Sequence, residues 1–455
     1  MKFKHMLAGL LAAASLGAIS AQAADLMFPK GEGAFTWKSL DEFKAAHTGL
    51  EGQKLSIWDA WAEPGDKAQW EAVLAYFTDA TGIEVQNGSS KNYEEQARID
   101  IAAGSPANIT ILPQPGLLGD FAKQGALADL GEDTTKWLTD NYSAGSSWAA
   151  LGQYEGKDGA VHQYAFPYKQ EVKSLVWYSP DNFAEKGYKV PETFEDLMAL
   201  QEKIKADGGT PWCIGLESGG ATGWAATDWI EDILLRTQTP DVYDGWVKNT
   251  IKFNDPRIVA AIDAFGAIAK VDANVAGGVK AIATTSFGDS PKGLFTVPPQ
   301  CYLHRQASFI PSFFPEGSVA GQDYNFFYFP AYASKDLGKP VLGSGNLAAI
   351  TKDTPAARAF IDFLKTPIAH EIWMAQPNGS FLSANKNVNT EVYNSQANKD
   401  LGQILLNATT FRFDGSDLMP GPIGAGAFWT GMVDFVNGKS AQEVADQIQA
   451  AWDKL

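Results

Sequence analysis

Residues 54–130 alternate short apolar runs with amphipathic segments, and this alternation constrains the fold more than any other part of the sequence. The apolar runs are too short for helices, whereas the segments between them show helical spacing. We therefore predict strands from Lys54, over 83–85 and over 109–112, with helices over 66–82 and 93–103. This order is a βαβαβ unit, in which ligand-binding loops follow the carboxyl ends of parallel strands.

The first of these helices carries the clearest signals of its limits and of its buried face. Asp66 is a typical N-cap residue, and Gly82 is typical of a helix end. Four apolar residues fall between them at positions i, i+3, i+4 and i+7, namely Trp70, Val73, Leu74 and Phe77. This spacing places them on one face, which we expect to be buried.

The loop after the first predicted strand is rich in aromatic and acidic residues, with Trp58, Asp59, Trp61 and Glu63 close together. Aromatic faces beside carboxylates suit a sugar, which has apolar CH faces and a ring of hydroxyl groups. We predict that Trp61 is a stacking platform and that Glu63 accepts hydrogen bonds from hydroxyls. The alternatives are a Trp packed on its own lobe and a solvated Glu. Trp58 ends the strand and is expected to face the core.

The first 23 residues have the pattern of a signal peptide. Basic residues precede an apolar run over 6–19, and residues 21–23 match an A-x-A cleavage site. The run is shorter than the roughly 20 residues that span a membrane, which argues against an uncleaved anchor. No Cys follows the site, which argues against a lipid anchor. We predict a periplasmic, exported protein whose signal peptide is cleaved near Ala23.

The charge and the cysteines exclude several classes of function. A formal net charge of −17 disfavours binding to nucleic acid or anionic membranes, since both need basic patches. Cys213 and Cys301 are the two cysteines, and in an oxidising compartment such a pair predicts a disulfide. Two buried free thiols are the alternative. Neither cysteine has a CxxC partner or a nearby His cluster, so we expect no metal site and no cofactor.

A second series of strand and helix patterns follows from residue 164 onward. It begins with a Pro-marked crossing and a strand over 164–178. Asp255 starts a later amphipathic helix, and Ser440 and Glu443 have the spacing of a capping box before the last helix. We find no repeat of roughly 20–50 residues and no low-complexity linker. Two α/β blocks without a linker indicate two lobes that share hinge strands.

Three long blocks of sequence carry a resemblance to a known family. They are AAGSPANITILPQPG, EVKSLVWYSPDNFAEKGYKVPETFEDL and LMPGPIGAGAFWTGMVDFVNGKSAQEVADQIQAAW. In their order along the chain, they resemble the extracellular solute-binding proteins of ABC sugar importers (family 1), in the maltose-binding-protein-like branch. Within that family, GTPWCIGLESGGATGWAATDWIED, CYLHRQASFIPSFFP and FRFDGSDLMPG are most similar to the α-glucoside-binding subgroup.

The resemblance implies an α/β, two-lobed periplasmic-binding-protein fold of type II, with an interdomain hinge and a central ligand cleft. The implied domains are the signal peptide 1–23, an N-terminal strap 24–53, an N-lobe of 54–166 plus 347–378, and a C-lobe of 167–346 plus 379–455. The three crossings between the lobes would lie near Phe166–Tyr168, Leu342–Asn346 and Asn378–Phe381. Both cysteines then fall in the C-lobe, which is compatible with their pairing.

Several further residues are predicted to contact the sugar because they follow predicted strands or the second cysteine. Ser89, Ser90 and Gln114 follow the second and third strands, where such folds bind ligands, although turn chemistry also favours serine. His304 and Arg305 lie just after the second cysteine. An Arg there offers a planar fork of donors to hydroxyls, with a structural Arg–Asp pair as the alternative.

The crossings supply a second group of predicted sugar contacts. Tyr168, Lys169 and Glu171 lie at the first crossing, and Gly345 lies at the second. By resemblance, Glu171 matches a carboxylate that contacts sugar in maltose-binding relatives, with a hinge salt bridge as the alternative. Also by resemblance, Trp429 matches the position of a stacking Trp.

Two motifs in the later part of the chain complete the predicted site. Glu217, Trp224 and Asp228 surround the turn SGGATG, whose glycines let backbone and ligand approach closely. Simple helix packing is the alternative for this Trp. Arg412 and Asp417 belong to FRFDGSDLMP and are predicted to bind hydroxyls.

The resemblance implies a periplasmic substrate-binding component of an ABC transporter for α-glucosides or other oligosaccharides. The ligand would be an α-linked di- or oligosaccharide, the partners would be the transmembrane permease subunits, and the protein would be a monomer. We expect capture by hinge closure, because contacts to both lobes exist only when the cleft is shut.

Two other functions use similar sequence features. An exported glycoside hydrolase needs paired carboxylates across the bond that it cuts. No catalytic acidic signature stands out, and the sequence lacks G-x-S-x-G, HExxH and a phosphate loop. We therefore predict that the protein is not an enzyme. A sugar-binding protein for a chemosensory receptor would use the same cleft and would differ only in its partner.

Overall fold

The computed structural model describes residues 26–143, 145–377 and 381–455. The predicted signal peptide and Asn378 of the third predicted crossing lie outside these residues. The helices are α1 (Trp37–Ala46), α2 (Pro64–Thr81), α3 (Tyr93–Ala102), α4 (Pro115–Gln124), α5 (Glu132–Asn141), α6 (Gly145–Ala150), α7 (Pro180–Lys186), α8 (Phe194–Ala206), α9 (Trp224–Thr237), α10 (Pro240–Val247), α11 (Pro256–Ala269), α12 (Pro355–Leu364), α13 (Pro367–Met374), α14 (Gln396–Leu406), α15 (Gly415–Leu418), α16 (Trp429–Val436) and α17 (Ala441–Trp452). Within these ranges, no helix combines the length and the apolar character that a membrane crossing requires.

The strands form one large sheet and two small ones. They are β1 (Lys54–Asp59), β2 (Glu84–Ser89), β3 (Ile109–Leu112), β4 (Gln153–Glu155), β5 (Val161–Gln163), β6 (Ala165–Val172), β7 (Leu175–Tyr178), β8 (His304–Arg305), β9 (Asn325–Tyr328), β10 (Pro340–Ile350) and β11 (Thr410–Phe413). The six-stranded sheet has the order β11-β10-β3-β1-β2, and β6 also pairs with β10. The small sheets have the orders β4-β5 and β8-β7-β9.

The predicted βαβαβ unit is confirmed. Strand β1 lies between β2 and β3 and is parallel to both, with Lys54 opposite Glu84 and Ile57 opposite Ile109. The carboxyl ends of the three strands therefore meet at one edge of the sheet, where the loops that follow them can line a common site.

The start of helix α2 corrects one prediction. The helix begins at Pro64 with Glu63 at the N-cap, rather than with Asp66 as the cap. Proline suits the first turn because its missing N–H would have no partner there in any case. Asp66 therefore does not cap the helix and lies buried in its first turn. The other end is as predicted: Gly82 has φ 68° and donates its N–H to the carbonyl of Thr78.

Two large hydrophobic cores define two lobes. The first surrounds the six-stranded sheet and includes Trp70 and Trp373. The second includes Trp212, Trp229 and Trp246, which pack among helices α8 to α11, α16 and α17. A smaller third core adjoins the second lobe and contains the disulfide between the cysteines at 213 and 301. Aromatic side chains fill much of this volume because each buries a large apolar area.

Strands β6 and β10 run side by side from the first core to the second. Tyr168 of β6 lies in the first core, and Val176, just after it in β7, lies in the second. In β10, Leu347 belongs to the first core and Leu342 to the second. Their antiparallel register shifts between Asn346 and Leu347. The residues between these points therefore lie where the two lobes meet.

The predicted helix starts in the later part of the chain are confirmed. Asp255 caps α11 by accepting the N–H of Arg257. Ser440 and Glu443 form both hydrogen bonds of a capping box at the start of α17. These signals are local, because a cap needs only the side chain and the first turn that follows it.

Candidate functional site

A cavity lies between the lobes and holds about 850 Å³ of empty space, part of it open to solvent. Its aromatic lining consists of Trp61, Tyr93, Trp224, Phe287, Phe309, Phe313 and Trp429. Its polar lining consists of Glu63, Asp66, Lys91, Gln114, Lys169, Glu171, Lys173, Ser218, Ser344, Asn346, Asp414 and Asp417. A concave site with many aromatic faces and a few polar groups suits a small organic ligand.

The cavity has one wall from each lobe. The first wall belongs to the first lobe and comprises Trp61, Tyr93 and Gln114, which follow strands β1, β2 and β3. The second wall belongs to the second lobe and comprises Lys173, Trp224, Asp414, Asp417 and Trp429.

The aromatic platform of the first wall is held in place from behind. Trp61 packs against Trp70 and Trp373 with ring centroids 4.9 and 4.8 Å apart. The backbone N–H of Trp61 donates to Oδ1 of Asp59 over 2.8 Å. Burial raises the pKa of this carboxyl group to about 6. Trp61 thus packs on its own lobe, which was the alternative considered for it, and also lines the cavity.

Polar groups of the first wall leave one acceptor free. The Nε2 group of Gln114 donates to the hydroxyl of Tyr93 and to Glu94, each over 3.1 Å. Its Oε1 is buried without a partner among the described residues. An unpaired buried oxygen is costly, so a donor supplied by a ligand would bind well here.

At the mouth of the cavity, Glu63 and Lys91 form an ion pair of 2.5 Å. Hydrogen bonding to this Glu raises the pKa of Lys91. The next residue, Asn92, reaches the other lobe, where its Oδ1 accepts the N–H of Gly220 over 2.7 Å. The two lobes are therefore in direct contact above the cavity.

The floor between the lobes carries charges from the crossing strand β6. Lys169 Nζ lies 3.4 Å from Oε1 of Glu171, whose Oε2 accepts the hydroxyl of Ser344 over 2.7 Å. The same ammonium lies 4.8 Å from the ring centroid of Trp373, within the range of a cation–π contact. The hinge salt bridge considered as the alternative for Glu171 is thus present, and Glu171 also lines the cavity.

An ionic network stabilises the second wall. Lys173 Nζ lies 2.8 Å from Oδ1 of Asp228 and 2.5 Å from Oδ2 of Asp414. Burial disfavours the charge of Asp414, but the ammonium beside it prevails and lowers the pKa of this carboxyl. The ammonium also lies 5.2 Å from the ring centroid of Trp224. Lys173 therefore joins the aromatic and acidic parts of this wall.

Eight of the seventeen predicted sugar contacts line the cavity. They are Trp61, Glu63, Gln114, Lys169, Glu171, Trp224, Asp417 and Trp429. Among them, Trp429 is 3% exposed and its Nε1 has no partner in the described part of the chain. This indole N–H and the free oxygen of the first wall are a buried donor and a buried acceptor on residues that line the same cavity.

The structure does not place Tyr168, Gly345 or Arg412 among the lining residues. Tyr168 is buried in the first core, where its hydroxyl donates to the carbonyl of Ala369. Gly345 faces the backbone of β6, where a Cβ would lie 2.6 Å from the carbonyl oxygen of Lys169. Arg412 binds both carboxylate oxygens of Asp244 on the partly exposed outer side of β11.

Asp228, His304 and Arg305 also lie behind the cavity wall rather than on it. Arg305 contacts Asp228 at 3.5 Å and Asp232 at 2.8 Å, which is the structural pairing considered as its alternative. His304 lies 2.9 Å from the carbonyl of Cys213, and burial lowers the pKa of its imidazole to about 4. The guanidinium of Arg305 and one ring nitrogen of His304 therefore have their partners within the second lobe.

The remaining predicted contacts, Ser89, Ser90 and Glu217, satisfy local turns. The hydroxyl of Ser89 accepts a hydrogen bond from Asn87, and that of Ser90 accepts one from the N–H of Asn92. Glu217 accepts the N–H of Gly219. For the two serines, this is the turn chemistry considered as their alternative.

Sequence reasoning missed several lining residues, and a periodic signal could have found one of them. Lys169, Glu171 and Lys173 alternate along one face of an extended segment, so the third follows from the first two. Phe309 and Phe313 stand out only as an aromatic cluster. Asn346, whose Oδ1 is buried without a partner among the described residues, lies in the second predicted crossing but was not among the predicted sugar contacts.

Residues 61–371 match the family model described as bacterial extracellular solute-binding protein. The chain is 61% identical over 448 residues, covering 98% of this chain and 97% of the relative, to the alpha-glucosides-binding periplasmic protein AglE of Rhizobium meliloti (strain 1021). It is 41% identical, over 84% of its length and 89% of the relative's, to the osmoprotective compounds-binding protein GgtB of Synechocystis sp. (strain ATCC 27184 / PCC 6803 / Kazusa).

Solved structures share the fold at low sequence identity. The bacterial solute receptor AcbH superposes with a TM-score of 0.74 at 18% identity, covering 88% of this chain and 98% of the other. A raffinose complex of RafE gives a TM-score of 0.64 at 18% identity, covering 88% and 99%. At this identity the likeness establishes the two-lobed α/β fold.

Proposed function

The chain belongs to the bacterial extracellular solute-binding proteins, and we propose that its cavity captures an α-linked glucoside for an ABC importer. It is a binding protein and not an enzyme, since its family binds solutes and its 61% identical relative is a binding protein. The observation that carries the proposal is the cavity itself, where aromatic faces from both lobes surround unpaired polar atoms.

The lining matches the two kinds of surface that a sugar presents. Trp61 and Trp429 offer apolar faces or edges to the CH groups of a pyranose ring. Gln114 Oε1 and Asn346 Oδ1 accept hydrogen bonds from hydroxyls, and the indole N–H of Trp429 donates one. The α-linkage rests on the relative AglE, whose name states that it binds alpha-glucosides.

Capture proceeds by closure of the lobes around the ligand. Contacts across the cavity mouth support this step, because Asn92 accepts a hydrogen bond from Gly220 on the opposite lobe. On another side, a Cβ at Gly65 would lie 2.5 Å from the carbonyl of Ser312, so glycine permits this close approach. A ligand that touches both walls favours this shut arrangement over an open one.

The partners and the location follow from the same role. The closed protein, a monomer, docks on the transmembrane permease subunits of the importer and releases its sugar there. It acts in the periplasm, as the name of the 61% identical relative states for that protein. The acidic surface, with a net charge of −17, keeps the exported chain soluble.

Isothermal titration with maltose, trehalose, sucrose, maltotriose, raffinose and glucose tests the proposed function. We expect one-to-one binding of an α-linked disaccharide, with the sugar recovered unchanged afterwards. Absence of heat with every sugar would overturn the proposal and point to another solute. Release of glucose during the titration would instead indicate a hydrolase.

A further inference from the structure

The second lobe buries more carboxyl groups than cations next to the cavity. Its cationic side chains are Lys173, Arg236 and Arg305, and its carboxyl groups are Asp228, Glu231, Asp232, Asp414 and Asp417. All of these residues are buried. An unpaired carboxylate is very costly in such surroundings, so a group without a cation is stable there as the neutral acid.

Three of the five carboxyl groups are paired with the cations. Asp232 contacts both arginines, and Lys173 lies between Asp228 and Asp414. Asp414 also accepts hydrogen bonds from the hydroxyl of Ser416 and from the backbone N–H of residue 417. The positive charge of the network is therefore used by these three groups.

Glu231 is held by hydrogen bonds instead of by a cation. It accepts the backbone N–H groups of Gly415 and Ser416 over 2.7 and 2.9 Å, and it lies 3.2 Å from the hydroxyl of Tyr243. It is not among the residues that line the cavity.

Asp417 differs from the other four carboxyl groups. Its side chain has no hydrogen bond and no ion pair to another residue in the described part of the chain, and it lines the cavity while only 5% exposed. The negative charges of Asp414, Asp228 and Glu94 of α3 act on its carboxyl group. The positive charge of Lys173 acts on it too, but this ammonium already contacts two carboxylates.

Charged and titratable groups on the other elements packed against α15 are engaged elsewhere. Asp244 of α10 pairs with Arg412 of β11. Asp120 of α4 accepts the backbone N–H of Gly421. The hydroxyl of Tyr93, at the start of α3, contacts Gln114. None of these arrangements supplies a positive charge to Asp417.

We propose that Asp417 is a neutral carboxylic acid whose O–H donates a hydrogen bond to an oxygen of the bound ligand. This inference rests on the proposed function, because the acceptor is a hydroxyl or ether oxygen of the sugar. The electrostatics act in the same direction: burial, together with the charge of Asp414, raises the pKa of Asp417 well above its usual range. The acid selects uncharged, oxygen-rich ligands that complete its hydrogen bond.

The sign of the pH dependence follows from the role of the proton. Below its raised pKa the carboxyl carries the proton and donates to the ligand. As pH rises through that pKa the donor is lost and a carboxylate faces the sugar oxygen, so affinity falls. An ionised Asp that accepts a hydroxyl proton would give the opposite trend.

Titration of maltose, trehalose and sucrose into the wild type and three variants, from about pH 5 to about pH 9, tests this role. Asp417→Asn keeps the shape and a donor, and we expect affinity within about threefold of wild type near neutral pH with a flatter pH profile. Asp417→Ala removes the donor and should weaken binding roughly tenfold or more. Asp181→Asn changes an exposed acid in α7 and should keep the wild-type profile.

Infrared difference spectra of the ligand-free protein measure directly whether the carboxyl group of Asp417 is protonated. The carbonyl band of a protonated carboxylic acid should be present at neutral pH and should lose intensity in Asp417→Asn but not in Asp181→Asn. An unchanged band, or an Asp417→Asn variant that binds as weakly as Asp417→Ala, would overturn the proposal. A wild type that binds none of the six sugars titrated for the proposed function would overturn that function, while the infrared band still decides the state of Asp417.

Discussion

The first and second walls of the cavity face the same space but are built differently. The first wall draws on Trp61, Tyr93 and Gln114, each placed by a loop or helix start after a strand of one βαβαβ unit. The second wall draws on Lys173 and Asp414, which are far apart in sequence and meet only through an ion pair. The first wall therefore depends on local chain geometry, and the second on long-range charge pairing.

This difference has an energetic consequence. The ion pair between Glu63 and Lys91 is partly exposed, and pairs of this kind contribute about 0–1 kcal/mol. The contacts of Lys173 with its two carboxylates are almost fully buried. Breaking a buried pair by removing one partner costs roughly 3–5 kcal/mol, because an uncompensated charge remains inside the protein. Substitutions in the two walls should therefore differ greatly in their effect on stability.

The largest effect is expected from removal of the central ammonium of the second wall. Lys173→Met should lower the free energy of unfolding by roughly 3–5 kcal/mol, because Asp228 and Asp414 lose their cation. Lys91→Met is the matched control in the mouth of the cavity and should cost less than about 1 kcal/mol. Urea unfolding of both variants measures this, and equal losses would contradict the contrast between the walls.

The next effect concerns ligand binding by the two tryptophans. Trp429→Ala should weaken sugar binding by roughly 10- to 100-fold, because the variant loses both an aromatic face and an unpaired N–H. Trp429→Phe keeps a ring and should lose less. Trp61→Ala should also lower the melting temperature, since that ring packs on Trp70 and Trp373. Titration calorimetry and thermal unfolding measure the two effects, and unchanged affinity of Trp429→Ala would reject its stacking role.

A third prediction compares a buried histidine from each lobe. Burial lowers the pKa of His304 in the second lobe and of His370 in the first lobe from 6.5 to about 4. Between these values the unfolded chain binds more protons, so stability falls as pH drops below about 6.5. Each histidine should contribute about 2 kcal/mol of this loss between about pH 6.5 and pH 5.

The histidine prediction is checked by urea unfolding at several pH values. His304→Gln and His370→Gln should each give a shallower loss of stability on acidification than the wild type. Replacement of His162, a partly exposed residue of β5 paired with Asp158, is the control. Hydrogen bonding to Asp158 outweighs the effect of burial and raises the pKa of His162. A slope that stays unchanged in both buried variants would disprove the assignment.

The smallest effect is expected at the contact above the cavity. Asn92→Ala removes the acceptor of the Gly220 N–H, which joins the lobes without lining the cavity. We expect sugar to dissociate roughly three- to tenfold faster, in line with about 1 kcal/mol for one hydrogen bond. Asn254→Ala, which breaks a bond to Asp446 within the second lobe, is the control. Stopped-flow tryptophan fluorescence measures the rates of sugar dissociation. Equal rates in both variants would show that this contact does not stabilise the closed state.

Local patterns predicted the elements whose limits depend on adjacent residues. Strand β3 covers the predicted residues 109–112, and the capping box of Ser440 and Glu443 is formed as predicted. Strand β2 is longer than predicted and extends over Glu84–Ser89, because pairing with β1 continues beyond the apolar residues. Backbone pairing with a neighbour is a tertiary property, and a polar strand end carries no apolar signal for it.

The sequence by itself determined the βαβαβ unit, the family and the residues that follow the strand ends, because these depend on short-range periodicity and on ordered blocks. The tertiary structure alone decided which charged side chains reach the cavity. Arg305 and Arg412 looked like ligand contacts but pair with carboxylates elsewhere, whereas Lys173 lies on the wall. A buried charge needs a partner of opposite charge, and that partner can be distant in sequence. A local sequence pattern therefore does not identify it.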